Sequence, residues 1–215
     1  MRFSTLISCL PKTLRFLYGT YMLYLDKRLY GYCGNNVVLH APLIVTKPEN
    51  VFLYDNVNIF GFSKLIISSK GKFIMKKNSG AAQGLTVVTG NHTYRPTIGV
   101  WHKEVIADVS TDRDTEIVVE EDVWIAANVT LLAGVVVGRG SIVGAGAVCR
   151  HSVPPYSIVI GNPARVIGFK YTVEEILEHE QHLYPESERL PKALLEKNYQ
   201  KYYQKRVKQI VEYIK

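Results

Sequence analysis

The residue best suited to chemistry is a histidine that stands where a regular stretch of the chain breaks. Residues 86–101 read TVVTGNHTYRPTIGVW, so an ordered run of valine and threonine stops at Gly90 and His92 follows it closely. An imidazole titrates near neutral pH and can accept a proton from a hydroxyl group. A lone histidine in a loop is more often a surface residue, so its meaning depends on the regular part of the chain.

Other chemistries have less support in the spacing of the residues. Four histidines include no pair spaced to face one metal ion: His40, His92, His102 and His151. We therefore expect that no metal is required. The three cysteines form neither a metal pair nor a disulfide framework, which is typical of a protein of the reducing cytoplasm. No glycine-rich phosphate loop of the GxGxxG or P-loop type is present.

A six-residue period runs through the second half of the chain. Counting by six from Val119 gives an apolar residue each time: Val119, Ile125, Leu131, Val137, Val143 and Cys149. A second register holds apolar or small residues: Val123, Val129, Val135, Ser141, Ala147 and Val153. A third register consists mostly of residues that tolerate positive φ: Asp122, Asn128, Gly134, Gly140, Gly146 and Ser152. The chain is therefore predicted to turn a corner once in every repeat, with one inward side chain on each side of it.

The same period extends towards the N-terminus with imperfect phase. Earlier corners are predicted at Asn36, Asn50, Asn56, Asn78, Gly84 and Gly90. The period is suspended between His92 and Ile117. Such short edges predict an all-β solenoid of three-sided coils that stack by parallel pairing. The alternative is chance alternation in an ordinary β-sandwich, whose longer strands and hairpins would give wider turn spacing.

The segment VWIAANVTLLAGVVVGRGSIVGAGAV, with VPPYSIVIGNPARVIG after it, resembles the hexapeptide-repeat acyltransferases. The similarity covers about residues 34–170 and is closest to the sugar and xenobiotic acetyltransferases, which include the galactoside and maltose enzymes. It implies a left-handed parallel β-helix that assembles as a homotrimer with active sites between subunits. It also implies acetyl-CoA as the cosubstrate that donates the acetyl group.

The resemblance implies catalytic roles for two residues. His92, at the root of an excursion loop over residues 91–117, matches the general base that takes a proton from the acceptor. The backbone N–H of Ala127, in the element Trp124-Ile125-Ala126-Ala127, matches the donor to the oxyanion of the tetrahedral intermediate. That family more often has glycine where Ala126 stands, which leaves the assignment of the amide unchanged.

Three sets of binding residues follow from the same resemblance. The residues expected along the pantetheine arm are Trp124, Ala126, Ala127, Gly144 and Ala145. The residues expected at the coenzyme A phosphates are Arg150, Arg165 and Lys170. The residues expected to meet the acceptor, chosen by loop position and aromatic chemistry, are Asn91, Tyr94, Trp101 and His102.

The basic charge of the chain lies at its two ends. The net charge is +7 overall, +4 over residues 1–30 and +5 over residues 191–215, which leaves −2 for the middle. This distribution argues against nucleic-acid binding by the body of the protein. We predict an N-terminal helical segment (1–33), a β-helix domain (34–170) and C-terminal helices (171–215).

The two ends are predicted to be helical. Residues 12–30 have an apolar and aromatic face that either caps the solenoid or packs on a subunit, or else lies at a membrane surface. Thr172 to Glu175 has the pattern of a capping box for a helix that ends near Leu183. A further helix, from Pro191, carries a tyrosine-rich stripe that favours packing over carbohydrate stacking. No stretch approaches the ~20 apolar residues of a membrane span, so contact with a membrane would be peripheral.

The sequence thus predicts a cytoplasmic acetyl-CoA-dependent acetyltransferase of polysaccharide biosynthesis. Its acceptor is expected to be a hydroxyl, or with less support an amine, of a sugar or glycan precursor. A small xenobiotic such as chloramphenicol and a non-catalytic β-helix scaffold are the alternatives. A zinc hydrolyase like the γ-class carbonic anhydrases would need three convergent histidines, which the spacing does not supply.

Overall fold

The computed structural model describes residues 11–91, 98–101, 104 and 113–202. Three-sided coils of chain stack to form a left-handed parallel β-helix, as predicted. Corresponding strands of successive coils pair in parallel, so each side of the resulting prism is one sheet. The side chains that point inwards from the three sheets fill the prism.

The strands are short and follow in chain order: β1 (Tyr32–Cys33), β2 (Val38–Leu39), β3 (Leu43–Val45), β4 (Val51–Leu53), β5 (Asn58–Ile59), β6 (Ser63–Ile66), β7 (Lys72–Met75), β8 (Gly80–Ala81), β9 (Thr86–Val88), β10 (Gly90–Asn91), β11 (Arg113–Asp114), β12 (Glu116–Val119), β13 (Trp124–Ile125), β14 (Thr130–Leu132), β15 (Val136–Val137), β16 (Ile142–Val143), β17 (Val148–Cys149), β18 (Ser157–Ile160) and β19 (Arg165–Phe169). The first face consists of β1, β4, β7, β12 and β15. The second face consists of β2, β5, β8, β13, β16, β18 and β19, and the third of β3, β6, β9, β14 and β17. Antiparallel pairing joins β18 to β19 and β10 to β11.

Most predicted corners are left-handed. The confirmed positive-φ corner residues are Asn36, Asn56, Asn78, Gly84, Asp122, Asn128, Gly134, Gly140 and Gly146. The prediction was wrong at Asn50, which ends a 3-10 turn (Pro48–Asn50), and at Gly90, which begins β10. It was also wrong at Ser152, because two prolines lengthen that connection and Tyr156 takes the left-handed conformation instead, at φ 58°.

The two predicted inward registers form the core. Every predicted inward residue from Val119 to Val153 is at most 5% exposed. The polar member, Ser141, donates its hydroxyl to the Gly138 carbonyl at 2.6 Å, so its burial leaves no unpaired donor. Burial also raises the pKa of the Cys149 thiol to about 11. This thiol stays protonated at neutral pH and is a poor nucleophile.

The N-terminal helix is shorter than predicted. Helix α1 (Lys12–Tyr21) ends after Gly19 and Thr20, two residues with low helix propensity, and 3-10 turns follow at Leu23–Leu25 and Lys27–Leu29. The residues that pack against the N-terminal end of the core come from these turns and the residue after them: Tyr24, Leu29 and Tyr30. Helix α1 itself contacts β3 but has no buried residue. Within the described residues, the predicted capping is therefore done by the turns rather than by the helix.

The C-terminal helices pack beside the prism. Helix α2 (Val173–Leu183) begins with the predicted capping box, in which Thr172 and Glu175 each accept from the other's backbone N–H. A 3-10 turn (Glu186–Glu188) leads to α3 (Lys192–Tyr202). Ile176 and Leu195 are buried against Tyr156, which belongs to a corner of the prism. Packing thus accounts for Leu195, a member of the apolar stripe on the last helix.

A buried ion pair fixes α2 to the prism. Glu180 is 1% exposed and accepts hydrogen bonds from Arg139 Nη1 at 3.2 Å and from the Tyr156 hydroxyl at 3.0 Å. The Arg139 guanidinium also lies 3.9 Å from the centre of the Tyr184 ring. Burial first, and then the nearby Glu180 carboxylate, raises the pKa of Tyr156. The Tyr156 hydroxyl therefore remains a donor at all ordinary pH values.

Substituting Glu180→Ala is expected to lower the free energy of unfolding by about 3 kcal/mol, because it leaves the Arg139 charge buried without its main partner. Thermal or urea unfolding would measure this loss. Glu178→Ala, which removes an exposed carboxylate from the same helix, is the matched control and should change stability by less than about 0.5 kcal/mol. Equal effects of the two substitutions would contradict the role given to the buried pair.

Candidate active site

The root of the excursion loop is held firmly to the prism. Thr89 follows β9 and is buried, and its carbonyl accepts from the Thr115 backbone N–H at 3.1 Å. One residue further on, β10 pairs with β11 so that Asn91 lies opposite Arg113. The loop therefore leaves and returns at one point, the corner between the third and first faces.

The residues predicted from the loop itself are mostly outside the described part of the chain. This applies to the candidate base His92 and to the candidate acceptor contacts Tyr94 and His102. The backbone of Asn91 places the start of the loop, directly before His92. Trp101 is described and is 79% exposed, so its ring is accessible to a ligand.

Ala127 lies at a different corner, between the second and third faces. Its carbonyl accepts from the Gly146 N–H of the next coil at 2.9 Å. Its own N–H has no acceptor within the described residues, and the same is true of the Ala145 N–H one coil above. The neighbouring Ala126 N–H, in contrast, donates to the Val143 carbonyl at 2.8 Å. The corner thus presents backbone donors that the coil-to-coil bonding leaves free.

Small residues form a column on the second face next to this corner, and we call this column the trough. Ala82, Ala126 and Gly144 lie one above another, since each donates its N–H to the following coil. A Cβ added to Gly144 would lie 2.7 Å from Cγ2 of Ile160, so any larger residue would crowd the upper end. Trp124 borders the trough with 47% of its surface exposed and lies against Gly80. The predicted pantetheine residues are therefore brought together.

The three predicted phosphate-binding cations are not brought together. Arg150 and Arg165 are exposed near the last coil. Lys170 Nζ instead lies 3.1 Å from Asp122 Oδ2. Arg165 begins β19 and Lys170 follows its end, so a five-residue strand of about 17 Å separates them. A single phosphate group cannot contact both side chains.

A cavity of about 650 Å³ opens at the C-terminal end of the prism, beside the last coil and the end of α3. Its apolar lining includes Val153, Val159, Ala164 and Val166. Its basic lining residues are His151, Arg165 and Lys201. Sequence reasoning missed His151 and Lys201 at this place, because the fold of α3 brings distant parts of the chain together without any repeat to signal it.

No metal-binding arrangement is seen in the part of the chain that the structure describes. No group of three or more His, Cys, Asp or Glu side chains there could hold a metal ion. Of the described cysteines, Cys33 and Cys149 are both free. Burial raises the pKa of the Cys33 thiol as well, so neither of these two groups is an activated nucleophile.

A comparison with models of known protein families agrees with the six-residue repeat. The family model "Bacterial transferase hexapeptide (six repeats)" matches residues 116–151. No curated protein sequence matches the chain.

Solved structures share the fold at low sequence identity. A hexapeptide-repeat acetyltransferase of Vibrio cholerae O1 biovar eltor, complexed with acetyl coenzyme A, has a TM-score of 0.57 and 21% identity over 78% of this chain and 82% of its own. A maltose O-acetyltransferase of Clostridium difficile 630 has a TM-score of 0.58 and 18% identity over 78% and 82%. AntD, an N-acyltransferase of Bacillus cereus in complex with dTDP and 3-hydroxybutyryl-CoA, has a TM-score of 0.51 and 18% identity over 76% of this chain and 97% of its own. The predicted resemblance and the β-helix fold are thus confirmed.

Substituting Gly144→Val is expected to place a branched side chain beside Ile160 at the upper end of the trough and to weaken acetyl-CoA binding about tenfold, which corresponds to about 1.4 kcal/mol. Titration calorimetry with coenzyme A would measure the loss. Gly168→Ala is the matched control, because an added Cβ there meets nothing within 4 Å. Unchanged affinity in a folded Gly144→Val variant would show that the ligand lies elsewhere.

Proposed function

We propose that this chain is an acetyltransferase that moves the acetyl group of acetyl-CoA to a hydroxyl of a sugar or glycan precursor. The observation that carries the proposal is the free N–H of Ala127 at the edge of a trough of small residues. A narrow thioester arm can lie along such a trough with its carbonyl oxygen towards a fixed donor. The solved structures of the same fold in complex with acetyl coenzyme A or 3-hydroxybutyryl-CoA support a coenzyme A thioester as the donor.

The proposed site is completed by a second copy of the chain. Ala127 stacks on Gln83, whereas the excursion starts at Gly90, across the width of the third face. The five residues from Leu85 to Thr89 run between the two corners, which corresponds to about 17 Å within one protomer. In a closed ring of copies, the Ala127 corner of each chain would lie against the corner of its neighbour from which the excursion leaves. This geometry supports the homotrimer that the resemblance implies.

In the proposed reaction the acceptor oxygen attacks the thioester carbonyl carbon while its proton passes to the His92 imidazole. The negative charge that develops on the carbonyl oxygen is stabilised by the Ala127 N–H, which is fixed before the reaction and needs no reorganisation. The intermediate then collapses, the carbon–sulfur bond breaks, and the imidazolium returns the proton to the departing thiolate. Transfer is direct, which agrees with the protonated state of Cys33 and Cys149.

The charges at the end of the prism suit the remainder of the coenzyme. Arg150 and Arg165 are exposed there and are proposed to bind the phosphates. Lys201 lines the same cavity as Arg165 and adds to its positive potential, and His151 lines it as well. Lys170 is left out of this role, because its ammonium group pairs with Asp122 on the other edge of the second face.

Hydroxyl and amine acceptors are distinguished by the proton that must be removed. A hydroxyl needs a base during attack, whereas an amine that binds in its neutral form is already nucleophilic. The likeness to a maltose O-acetyltransferase supports the hydroxyl, and the likeness to AntD, an N-acyltransferase, keeps an amine as the second candidate. A panel of sugars, nucleotide sugars, amino sugars and chloramphenicol, with release of coenzyme A thiol as the signal, would decide between them.

Substituting His92→Ala is expected to lower kcat by about 10²–10⁴-fold, because general base catalysis contributes on this scale, with little change in the KM for acetyl-CoA. His182→Ala removes an exposed imidazole from α2 and serves as the control. Steady-state kinetics at saturating acceptor would measure both variants. Undiminished turnover by His92→Ala would refute the assignment of the base.

A further inference from the structure

Helix α1 contacts β3 on one side, yet several of its large apolar side chains remain exposed among the described residues. The exposed fractions are 49% for Leu14, 69% for Phe16, 45% for Leu17, 46% for Tyr21 and 58% for Met22, the residue after the helix. The end of the core is already covered by the 3-10 turns that follow, so these side chains are not needed there. Several large apolar groups on one ten-residue helix point to a contact outside the protomer.

The charge around this helix has a single sign. Residues 1–25 contain three Lys or Arg residues and no Asp or Glu, while the middle of the chain is net negative. Lys12 and Arg15 are exposed on α1 and take part in no ion pair within the described residues. On a helix, Lys12 is the neighbour of both Arg15 (i,i+3) and Phe16 (i,i+4), and Phe16 is the most exposed apolar residue of α1. A helix that carries exposed apolar groups and uncompensated cations suits an anionic surface with an apolar interior.

We propose that α1 docks the protein onto a membrane surface that contains anionic lipids. Leu14, Leu17 and Tyr21 share one face of the helix, and they and Phe16 beside them would enter the boundary between headgroups and acyl chains. The long side chains of Lys12 and Arg15 would reach the lipid phosphates. The helix is only about 15 Å long, and no helix of the described ranges has the length and apolar character to span a bilayer. The contact is therefore peripheral. It concerns where the protein lies and does not depend on the proposed enzymatic activity.

A second copy of the chain is a less suitable partner for this surface. In a twofold contact between two α1 helices, Lys12 and Arg15 of one copy would approach the same residues of the other copy. Such like-charge contacts are unfavourable and would have no acidic residue of α1 to neutralise them. Anionic lipids satisfy both the charge and the apolar groups at once.

Flotation of the full chain with vesicles tests the proposal. Vesicles that combine phosphatidylglycerol with phosphatidylcholine should carry the protein upwards at low salt, and vesicles of phosphatidylcholine alone should carry much less. Added salt should weaken the binding, because it screens exposed charges. Absence of flotation with either vesicle, or equal flotation with both, would overturn the proposal.

Two variants separate the contributions of charge and apolar contact. Lys12→Gln with Arg15→Gln should reduce affinity for the anionic vesicles about thirtyfold, and Phe16→Ser about tenfold. Neither should change the melting temperature by more than a few degrees, because these side chains are exposed. Lys72→Gln with Lys197→Gln removes the same charge from the first face and α3, and should bind as the original chain does.

The same variants identify the outcomes that would contradict docking. Vesicle binding by Lys12→Gln with Arg15→Gln at the level of the Lys72 and Lys197 control would show that α1 is not the contact. A change in mass by analytical ultracentrifugation of Phe16→Ser without lipid would show that a second copy covers the helix. Loss of flotation together with full acetyltransferase activity would support docking and separate it from catalysis.

Discussion

The left-handed residue found at most corners is the constraint on which the regular part of the prism depends. Positive φ allows the chain to turn within few residues, and it favours asparagine, aspartate and glycine. Corner asparagines also bond along the stack, as Asn56 Nδ2 does to Asn78 Oδ1 at 2.8 Å. At Gly140 a second demand is added, since a Cβ there would lie 2.5 Å from the Tyr156 ring. The corners therefore fix both the direction of the chain and the spacing of the coils.

The candidate site arises from the same constraint in two opposite ways. Where the corner is regular, residues of the faces donate their N–H groups to carbonyls of the next coil. The N–H of a corner residue such as Ala127 remains without an acceptor among the described residues. Where the corner fails, at Gly90, the chain continues as a strand and leaves the prism. The sequence predicted a corner at Gly90, and this error coincides with the point at which the excursion begins. A regular scaffold thus supplies the donor, and its single long interruption carries the candidate base.

The sequence predicted the core well because burial in the prism has a fixed period and each inward residue packs with adjacent coils. It could not predict contacts that depend on how the C-terminal helices fold back. Glu180 reaches Arg139 across 41 residues of sequence, and Lys170 reaches Asp122 across 48. The sequence also did not predict the corner at Phe62. This bulky residue has φ 61°, and a rule based on asparagine and glycine does not detect it. The stacking of the small residues proposed to hold the pantetheine arm was predictable, whereas the basic cavity at the prism end was not.

The proposed assembly and the proposed membrane contact strengthen each other through symmetry. A threefold axis parallel to the prism places the same end of every protomer on the same side of the assembly. Three copies of α1 would then face one surface, while the clefts between chains lie further along the prism. A single short helix binds lipid weakly, but linked contacts raise the effective concentration of each one. In the proposed trimer, a modest number of cations and apolar side chains in each chain would therefore be sufficient to hold the whole assembly, and the three proposed clefts would remain open to acceptors near the surface.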